Sequence, residues 1–317
     1  MNFKILNTIG VAFADEAKKK LEVLGEVTYK IPTQVELEKE IENFDMIVVG
    51  LGLLVNKTVI TNGKNLKVIA TATTGLDHID VSFAEEKGVK VVSLKNDLEF
   101  MKKITGTAEL AWGILISLIR KIPSSMDSVK AGDWKRDDFK GNSLSGKTLG
   151  VLGLGRLGTL VAGYGKAFGM EVLFTDPNVE SLNDARKVSF EELISKADFL
   201  SVHIHLSKET ENLISEKEFE KMKKSVFIVN TSRGKIVDEV ALLEALKEKR
   251  IAGYATDVLA DELDFGDKIP STNPLVAYSR ENDNLIIVPH TGGMTHESRI
   301  LTDIRVVEKI GEYLNSI

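Results

Sequence analysis

The 317 residues have room for about two domains of ordinary size with well-buried cores. Their 43% hydrophobic and 28% charged content is that of a soluble globular chain, and a net charge of -6 offers no basic face to nucleic acid or an anionic membrane. With no cysteine, disulfides, thiolate catalysis and zinc-thiolate sites are excluded together, which suits a reducing cytoplasm, the expected location.

Residues 1–7 alternate apolar and polar side chains like a first strand, and no basic segment followed by a long apolar stretch marks a signal peptide. Further β-rich runs fall at residues 26–29, 46–49, 68–72 and 89–92, with amphipathic helical patterns at 14–24, 34–43 and 82–87. This alternation predicts a parallel sheet wrapped by helices. Gly50-Leu51-Gly52 follows a strand but lacks a third glycine and a later acid, and reads as a loop. Residues 94–103 read as a second loop. The apolar run 110–119 falls short of the roughly 20 residues that cross a bilayer and predicts a buried helix. Residues 131–146, polar and broken by glycine, read as a surface connection into a second unit.

That unit has its own strand series, at 148–152, 171–174, 199–203, 225–230, 253–257 and 284–288. Its first strand runs directly into Gly153-Leu154-Gly155-Arg156-Leu157-Gly158, a G-x-G-x-x-G turn opening a helix over 156–168. Gly153 turns the chain off the strand, Gly155 lets backbone approach a pyrophosphate, and Gly158 allows close helix-sheet packing. The helix N-terminus favours the anion. Asp176, at the end of the next strand, stands where an acid meets the adenosine ribose diol and repels a 2′-phosphate, so the cofactor is read as NAD rather than NADP. A last helix, 297–315, is too short to be a domain and is expected to pack on the first unit.

Three strand ends of the second unit carry polar groups that packing does not demand. Arg233, in Val229-Asn230-Thr231-Ser232-Arg233-Gly234, suits a planar carboxylate. Asp257, Asp261 and Glu262 follow a second strand. His290, in Pro289-His290-Thr291-Gly292-Gly293, is placed for proton exchange near neutral pH beside a carboxylate. Ligands bind beyond the carboxyl ends of parallel strands, so the three belong to one sheet edge. His203 and His205 alternate along a predicted strand but have no third ligand nearby, so no metal is expected. His78 and His296 read as structural or exposed. No G-x-S-x-G elbow supports a serine hydrolase.

Together with Thr74-Gly75-Leu76-Asp77-His78-Ile79-Asp80, Thr107-Ala108-Glu109, Val202-His203 and Glu209-Thr210, these motifs make the chain resemble the D-isomer-specific 2-hydroxyacid dehydrogenases, the phosphoglycerate dehydrogenase-like group, over nearly its whole length. The resemblance implies an α/β fold of two Rossmann-like or flavodoxin-like parallel-sheet domains with an interdomain active-site cleft. Residues 1–103 and 289–317 would bind substrate, and 104–288 would bind NAD. It implies Arg233, Glu262 and His290 as catalytic groups, with Glu262 holding His290 protonated for reduction of a 2-oxoacid. Cofactor contacts are implied at Gly153, Gly155, Arg156, Leu157, Gly158, Asp176, Ile204, Thr231, Asp257 and Gly292, with Asp257 at the nicotinamide carboxamide. Thr74, Gly75 and Arg233 would receive the substrate carboxylate.

The resemblance also implies a homodimer, paired partly through the apolar helix at 108–120, and no nucleic-acid or membrane partner. The chain departs from the family pattern at Thr73, where glycine is frequent, and at His205 and Leu263, where proline is frequent. The loop Gly50-Leu51-Gly52-Leu53-Leu54 has no arginine for a substrate phosphate, which argues for a substrate other than 3-phosphoglycerate. In the 94–103 loop, Phe100 or Met101 is a candidate substrate contact, and Lys95, Lys102 or Lys103 a candidate replacement cation. No regulatory extension is expected after the last helix. The competing functions are phosphoglycerate dehydrogenase proper, a formate- or phosphite-type dehydrogenase, and an NAD(H)-sensing, corepressor-like binding protein. Glu262, where formate enzymes usually carry glutamine, disfavours formate.

Overall fold

Parallel strands alternating with helices build two separate sheets in this computed structural model, which describes residues 3–265 and 268–316. The chain divides into two units: Met1–Ile104 with Leu263–Lys268 and Met294–Ile317, and Thr105–Glu262 with Ile269–Gly293.

In chain order the first unit runs β1 (Phe3–Asn7), α1 (Asp15–Glu22), β2 (Gly25–Tyr29), α2 (Gln34–Glu40), β3 (Met46–Val48), α3 (Lys57–Asn62), β4 (Val68–Ala70), α4 (Val81–Glu86), β5 (Lys90–Val92) and α5 (Leu98–Met101). The sheet order is β2-β1-β3-β4-β5, all parallel. Side chains alternate across it: Ile5, Met46, Val48, Val68 and Ala70 join one core, and Leu6, Ile47 and Ile69 join the core on the other face. Both faces are therefore apolar, and helices cover both. Start signals are local, as in α2, where Thr33 and Glu36 form a capping box.

The second unit runs α6 (Gly106–Ile119), α7 (Ile122–Lys130), β6 (Thr148–Leu152), α8 (Arg156–Ala167), β7 (Glu171–Thr175), β8 (Ala185–Lys187), α9 (Phe190–Lys196), β9 (Phe199–Val202), α10 (Glu216–Lys221), β10 (Phe227–Asn230), α11 (Glu239–Lys247), β11 (Gly253–Thr256), α12 (Pro274–Ser279) and β12 (Leu285–Ile287). Its parallel sheet has the order β12-β11-β10-β9-β6-β7-β8, which reverses direction between β6 and β9, the switch point where such sheets bind ligands. The helix α13 (His296–Leu314) returns to the first unit, as expected, and buries Val306, Val307 and Ile310 in its core. Each contributes about 2 kcal/mol by burial. Its Asp303, 0% exposed, accepts from the Ala14 amide at 3.1 Å and meets Arg299 at 2.9 Å; burial pushes the carboxyl up to about 6.

Several sequence-based expectations need correction. Residues 131–146 lie inside the second unit, which already starts at Thr105; they are mostly exposed, with Leu144 buried against α6 neighbours. Residues 289–293 also belong to the second unit, because the amides of His290, Thr291 and Gly292 all bond to Asp257. The 94–103 stretch contains α5: Leu94, Met101 and Ile104 form a small core with Phe100 packed on it, and Lys102 pairs with Glu99 at 2.6 Å. Met101 is thus a core residue. Neither β8 nor α7 was anticipated.

Candidate active site

Gly153 leaves β6 at φ +91°, and a Cβ there would lie 2.8 Å from the His203 carbonyl at the end of β9. At Gly158 a Cβ would lie 2.0 Å from the Gly153 carbonyl, so α8 packs on the turn only through glycine. Gly155 differs: a Cβ there meets nothing within 4 Å. It faces space beside the first turn of α8, where Arg156, Leu157 and Gly158 present N–H groups that have no intrahelical acceptor. Asp176 Oδ2 accepts from the Leu154 amide at 2.7 Å, and Oδ1 accepts from Asn178 and Val179 at 2.8 and 3.0 Å. A carboxylate has about four acceptor sites and three are taken by these amides, so about one lone pair remains for a ribose hydroxyl. Thr231 is 7% exposed, and its buried hydroxyl has no hydrogen-bond partner among the described residues. Open space at Gly155, an anion-seeking helix end, an acid at the β7 terminus and an orphaned hydroxyl fit a dinucleotide. Ile204 lies against the same turn, its Cγ2 2.8 Å from the position of a Gly153 Cβ.

Beyond β11 and β12 the polar groups converge. His290 Nδ1 lies 2.7 Å from Glu262 Oε1, although 28 residues separate them in sequence. The His290 side chain is 31% exposed and that of Glu262 19%. Burial opposes charge on the imidazole, but the Glu262 hydrogen bond and the charges of Glu262 and Asp257 outweigh burial and Arg233, so its pKa is raised. The His290 backbone is left-handed, φ 49°, and its amide bonds to the Asp257 and Val288 carbonyls at 3.0 Å each. Strain of this kind persists where the surroundings over-determine it.

Asp257, 2% exposed, gives one carboxylate oxygen to the Thr291 amide and hydroxyl and the other to the Gly292 amide at 2.7 Å. Burial raises its pKa against these bonds. Its visible work in this chain is to anchor the loop carrying His290. Arg233, half-buried, donates from Nη1 to the Ser232 carbonyl at 2.7 Å, and its charge reaches His290. Glu239, which the sequence did not single out, sits at the start of α11 and accepts from the Ala260 amide at 2.7 Å, so it holds the loop leading to Glu262. Its pKa is raised by burial, then by Asp261 and Glu262.

The other four histidines are placed differently. The strand β9 ends at Val202, so His203 and His205 do not alternate on a strand as expected. His203 Nε2 meets Ser201 Oγ at 2.7 Å, and burial pushes its pKa down to about 4. His205 and His296 are exposed, and His78 is buried in the first unit. Among the described residues no group of three or more His, Cys, Asp or Glu side chains is arranged to hold a metal ion. In the first unit, Thr74 and Gly75 lie on the turn after β4, and the loop after β3 is pinned by Gln34, whose amide bonds both the N–H and the C=O of Leu54 at 2.9 Å.

The model of the D-isomer specific 2-hydroxyacid dehydrogenase NAD binding domain matches residues 112–292. A D-3-phosphoglycerate dehydrogenase of Methanocaldococcus jannaschii is 39% identical over 306 residues, 95% of this chain and 56% of that protein. The chain thus spans about half the length of that relative. A hydroxypyruvate reductase of Thermotoga maritima is 37% identical over 294 residues, 92% of this chain and 91% of that protein. A D-lactate dehydrogenase of Aquifex aeolicus, solved with NAD and lactic acid, has the same fold: TM-score 0.84 at 26% identity, covering 99% of this chain and 96% of that one. With its NAD-binding domain in the second unit and this fold throughout, the chain belongs to the D-isomer specific 2-hydroxyacid dehydrogenases.

Proposed function

We propose that the chain is an NAD-dependent oxidoreductase interconverting a D-2-hydroxyacid and its 2-oxoacid. The observation that carries this is the His290–Glu262 pair at 2.7 Å on the sheet edge that also bears Arg233. NAD, when bound, supplies the hydride acceptor, and its reduced form the donor, for carbon 2 of the substrate. Gly153, Gly155, Arg156, Leu157 and Gly158 would hold its pyrophosphate and Asp176 its ribose. Ile204, Thr231, Asp257 and Gly292 would line the remainder.

His290 engages Glu262 through Nδ1, which leaves Nε2 to carry the exchangeable proton. For reduction the imidazolium donates to the 2-oxygen; for oxidation the neutral ring accepts from the hydroxyl. Arg233 polarises the 2-oxo group and grips the carboxylate, stabilising charge that develops on oxygen. The amides around Thr74 and Gly75 receive the carboxylate.

The substrate is read as unphosphorylated. The loop after β3 offers only Gly50, Leu51, Gly52, Leu53 and Leu54, and of the candidate lysines Lys95, Lys102 and Lys103 the second pairs with Glu99. NADH oxidation followed at 340 nm is expected with glyoxylate, hydroxypyruvate, pyruvate or a branched-chain oxoacid. The kcat/KM for phosphohydroxypyruvate is expected to be at least about tenfold lower, the loss when one good charge-charge contact is absent. Preference for the phosphorylated acid would overturn the substrate assignment, and turnover of none would overturn the dehydrogenase.

The partner is a second copy of the chain. The expected helix contributes little free surface, since α6 buries Ala108, Ala111, Trp112, Ile114, Leu115, Leu118 and Ile119 within its own unit. The helix α7 buries none of its residues, and it presents Ile122, Met126 and Val129, spaced as one stripe, at 36%, 54% and 53% exposure. Trp134, just beyond, is 86% exposed. An apolar stripe of this kind supports a two-fold interface between identical faces. Light scattering should give a dimer that Met126→Glu with Trp134→Ala converts to monomer; a monomeric wild type would refute it. Cytoplasmic location and the absence of nucleic-acid or membrane partners rest on the lack of cysteine and the net charge of -6. No helix among the described residues is long and apolar enough to cross a membrane.

A further inference from the structure

Between β4 and α4 the chain turns through Thr73-Thr74-Gly75-Leu76, and the N–H groups of Thr74, Gly75 and Leu76 donate to nothing among the described residues. Three successive unpaired amides are the elements of a concave anion site. Behind them lies a polar cluster with no part in the catalytic machinery described above: Thr71 at 0% exposure, His78 at 2%, and the half-buried Thr73.

The hydrogens of this cluster can be placed by elimination. Thr73 Oγ1 lies 2.7 Å from the Gly75 carbonyl oxygen, which only accepts, so the single Thr73 hydroxyl proton is committed there. Thr71 Oγ1, 3.0 Å from Thr73 Oγ1, must then donate to it. The Thr71 oxygen faces His78 Nε2 at 3.3 Å, and having spent its own proton it can only accept, so His78 carries hydrogen on Nε2. A one-way chain results, from His78 through Thr71 and Thr73 to the Gly75 carbonyl. Thr73 is itself fixed, since its carbonyl accepts from the amide of the fully buried Leu94 at 3.1 Å. Because a peptide is trans, holding the Gly75 oxygen against Thr73 directs the Leu76 N–H to the opposite side, away from the cluster.

We infer that Thr73 is a positioning residue for substrate recognition: its hydroxyl, oriented by Thr71 and His78, fixes the Gly75-Leu76 peptide so that the amides of Thr74, Gly75 and Leu76 converge on the substrate carboxylate. This rests on the reading of that turn as a carboxylate site. Thr73 touches no substrate atom; it acts through one peptide plane. Thr73→Val preserves shape but removes the proton, and the Gly75 carbonyl loses its only side-chain donor among the described residues.

The test uses the full chain with saturating NADH and oxamate, an unreactive analogue of a 2-oxoacid. In amide proton-nitrogen spectra, oxamate should move the Thr74, Gly75 and Leu76 signals. Calorimetry should show Thr73→Val weakening oxamate about tenfold, the scale of one lost hydrogen bond, while Thr73→Ser binds like the wild type. With a substrate, Thr73→Val should raise KM by a similar factor, with kcat within about twofold and the Kd for NADH unchanged. Should Thr73→Val fail to fold, Thr71→Val interrupts the same chain one step earlier and is read by the same titration. Equal oxamate affinity in the wild type and the valine variant overturns the role of Thr73 while leaving the carboxylate turn intact. Unmoved amides overturn both. Moved, Thr73-dependent amides in a protein without turnover uphold the inference against the dehydrogenase reading.

Discussion

Replacing His290 with alanine is expected to lower turnover by about a hundredfold or more while leaving NADH binding nearly intact, because in the proposed mechanism the variant loses the proton donor and no part of the glycine turn. The informative companion is Glu262→Gln. In the wild type, burial and Arg233 press the imidazole toward neutrality, and Glu262 with Asp257 reverses them, leaving the pKa raised above 6.5. Reduction needs the imidazolium, so its rate should hold at low pH and fall as pH rises through that raised pKa. Oxidation needs the neutral ring and should rise through the same pKa. Glutamine keeps an acceptor for Nδ1–H but removes the charge. The imidazolium is then stabilised less, and both limbs should move to lower pH. Initial rates in both directions from pH 5 to 9 measure this. A Glu262→Gln profile superimposable on the wild type would remove Glu262 as the group that sets the charge of His290.

The second large effect contrasts two glycines three residues apart. Gly158→Ala places a Cβ 2.0 Å from the Gly153 carbonyl, a backbone atom held by the β6 turn. Neither partner can yield cheaply. Overpacking of this type costs about 1–3 kcal/mol or more, so the denaturation midpoint should fall and the second unit should be the part that loosens. Gly155→Val meets no protein atom within 4 Å at its Cβ, and its φ of -71° and ψ of -161° suit any residue. It should melt like the wild type and yet bind NADH at least about a hundredfold more weakly, since the side chain fills the space where backbone approaches the phosphates. Calorimetric NADH titration beside a denaturant melt separates the two outcomes. Normal NADH affinity in Gly155→Val would exclude this turn as the pyrophosphate site, and a wild-type melt for Gly158→Ala would contradict the close packing of α8.

Much of this architecture was legible because the information is local. Strands such as β1, β6 and β9 are apolar runs between helical patterns; Ile5 and Leu6 of β1 fill opposite cores, and Leu149, Val151, Leu152, Phe199, Leu200 and Val202 of β6 and β9 are all buried. The glycine turn was readable for the same reason: its three positions answer to backbone conformation, backbone approach and helix packing within six residues. Short elements escaped. The strand β8, Ala185-Arg186-Lys187, is polar and owes its existence to pairing with β7, while α5 is a single turn stabilised by the Leu94, Met101 and Ile104 core. His203 and His205 misled because strand periodicity was carried past Val202, where the chain leaves the sheet.

By itself, then, the sequence determined the parallel α/β plan, the glycine turn after β6 and the placement of Arg233, Glu262 and His290 at strand ends, because hydrophobic period and glycine spacing act over a few residues. The family resemblance implied that Glu262 holds His290, and the tertiary structure supplies the 2.7 Å contact across 28 residues; only the tertiary structure decided that Asp257 spends its carboxylate on the Thr291 and Gly292 amides, that Glu239 braces the Glu262 loop, and that a hydroxyl chain ends on the Gly75 carbonyl. These depend on sheet register, which brings distant residues to one edge, and on burial, which sets the charge each group keeps there.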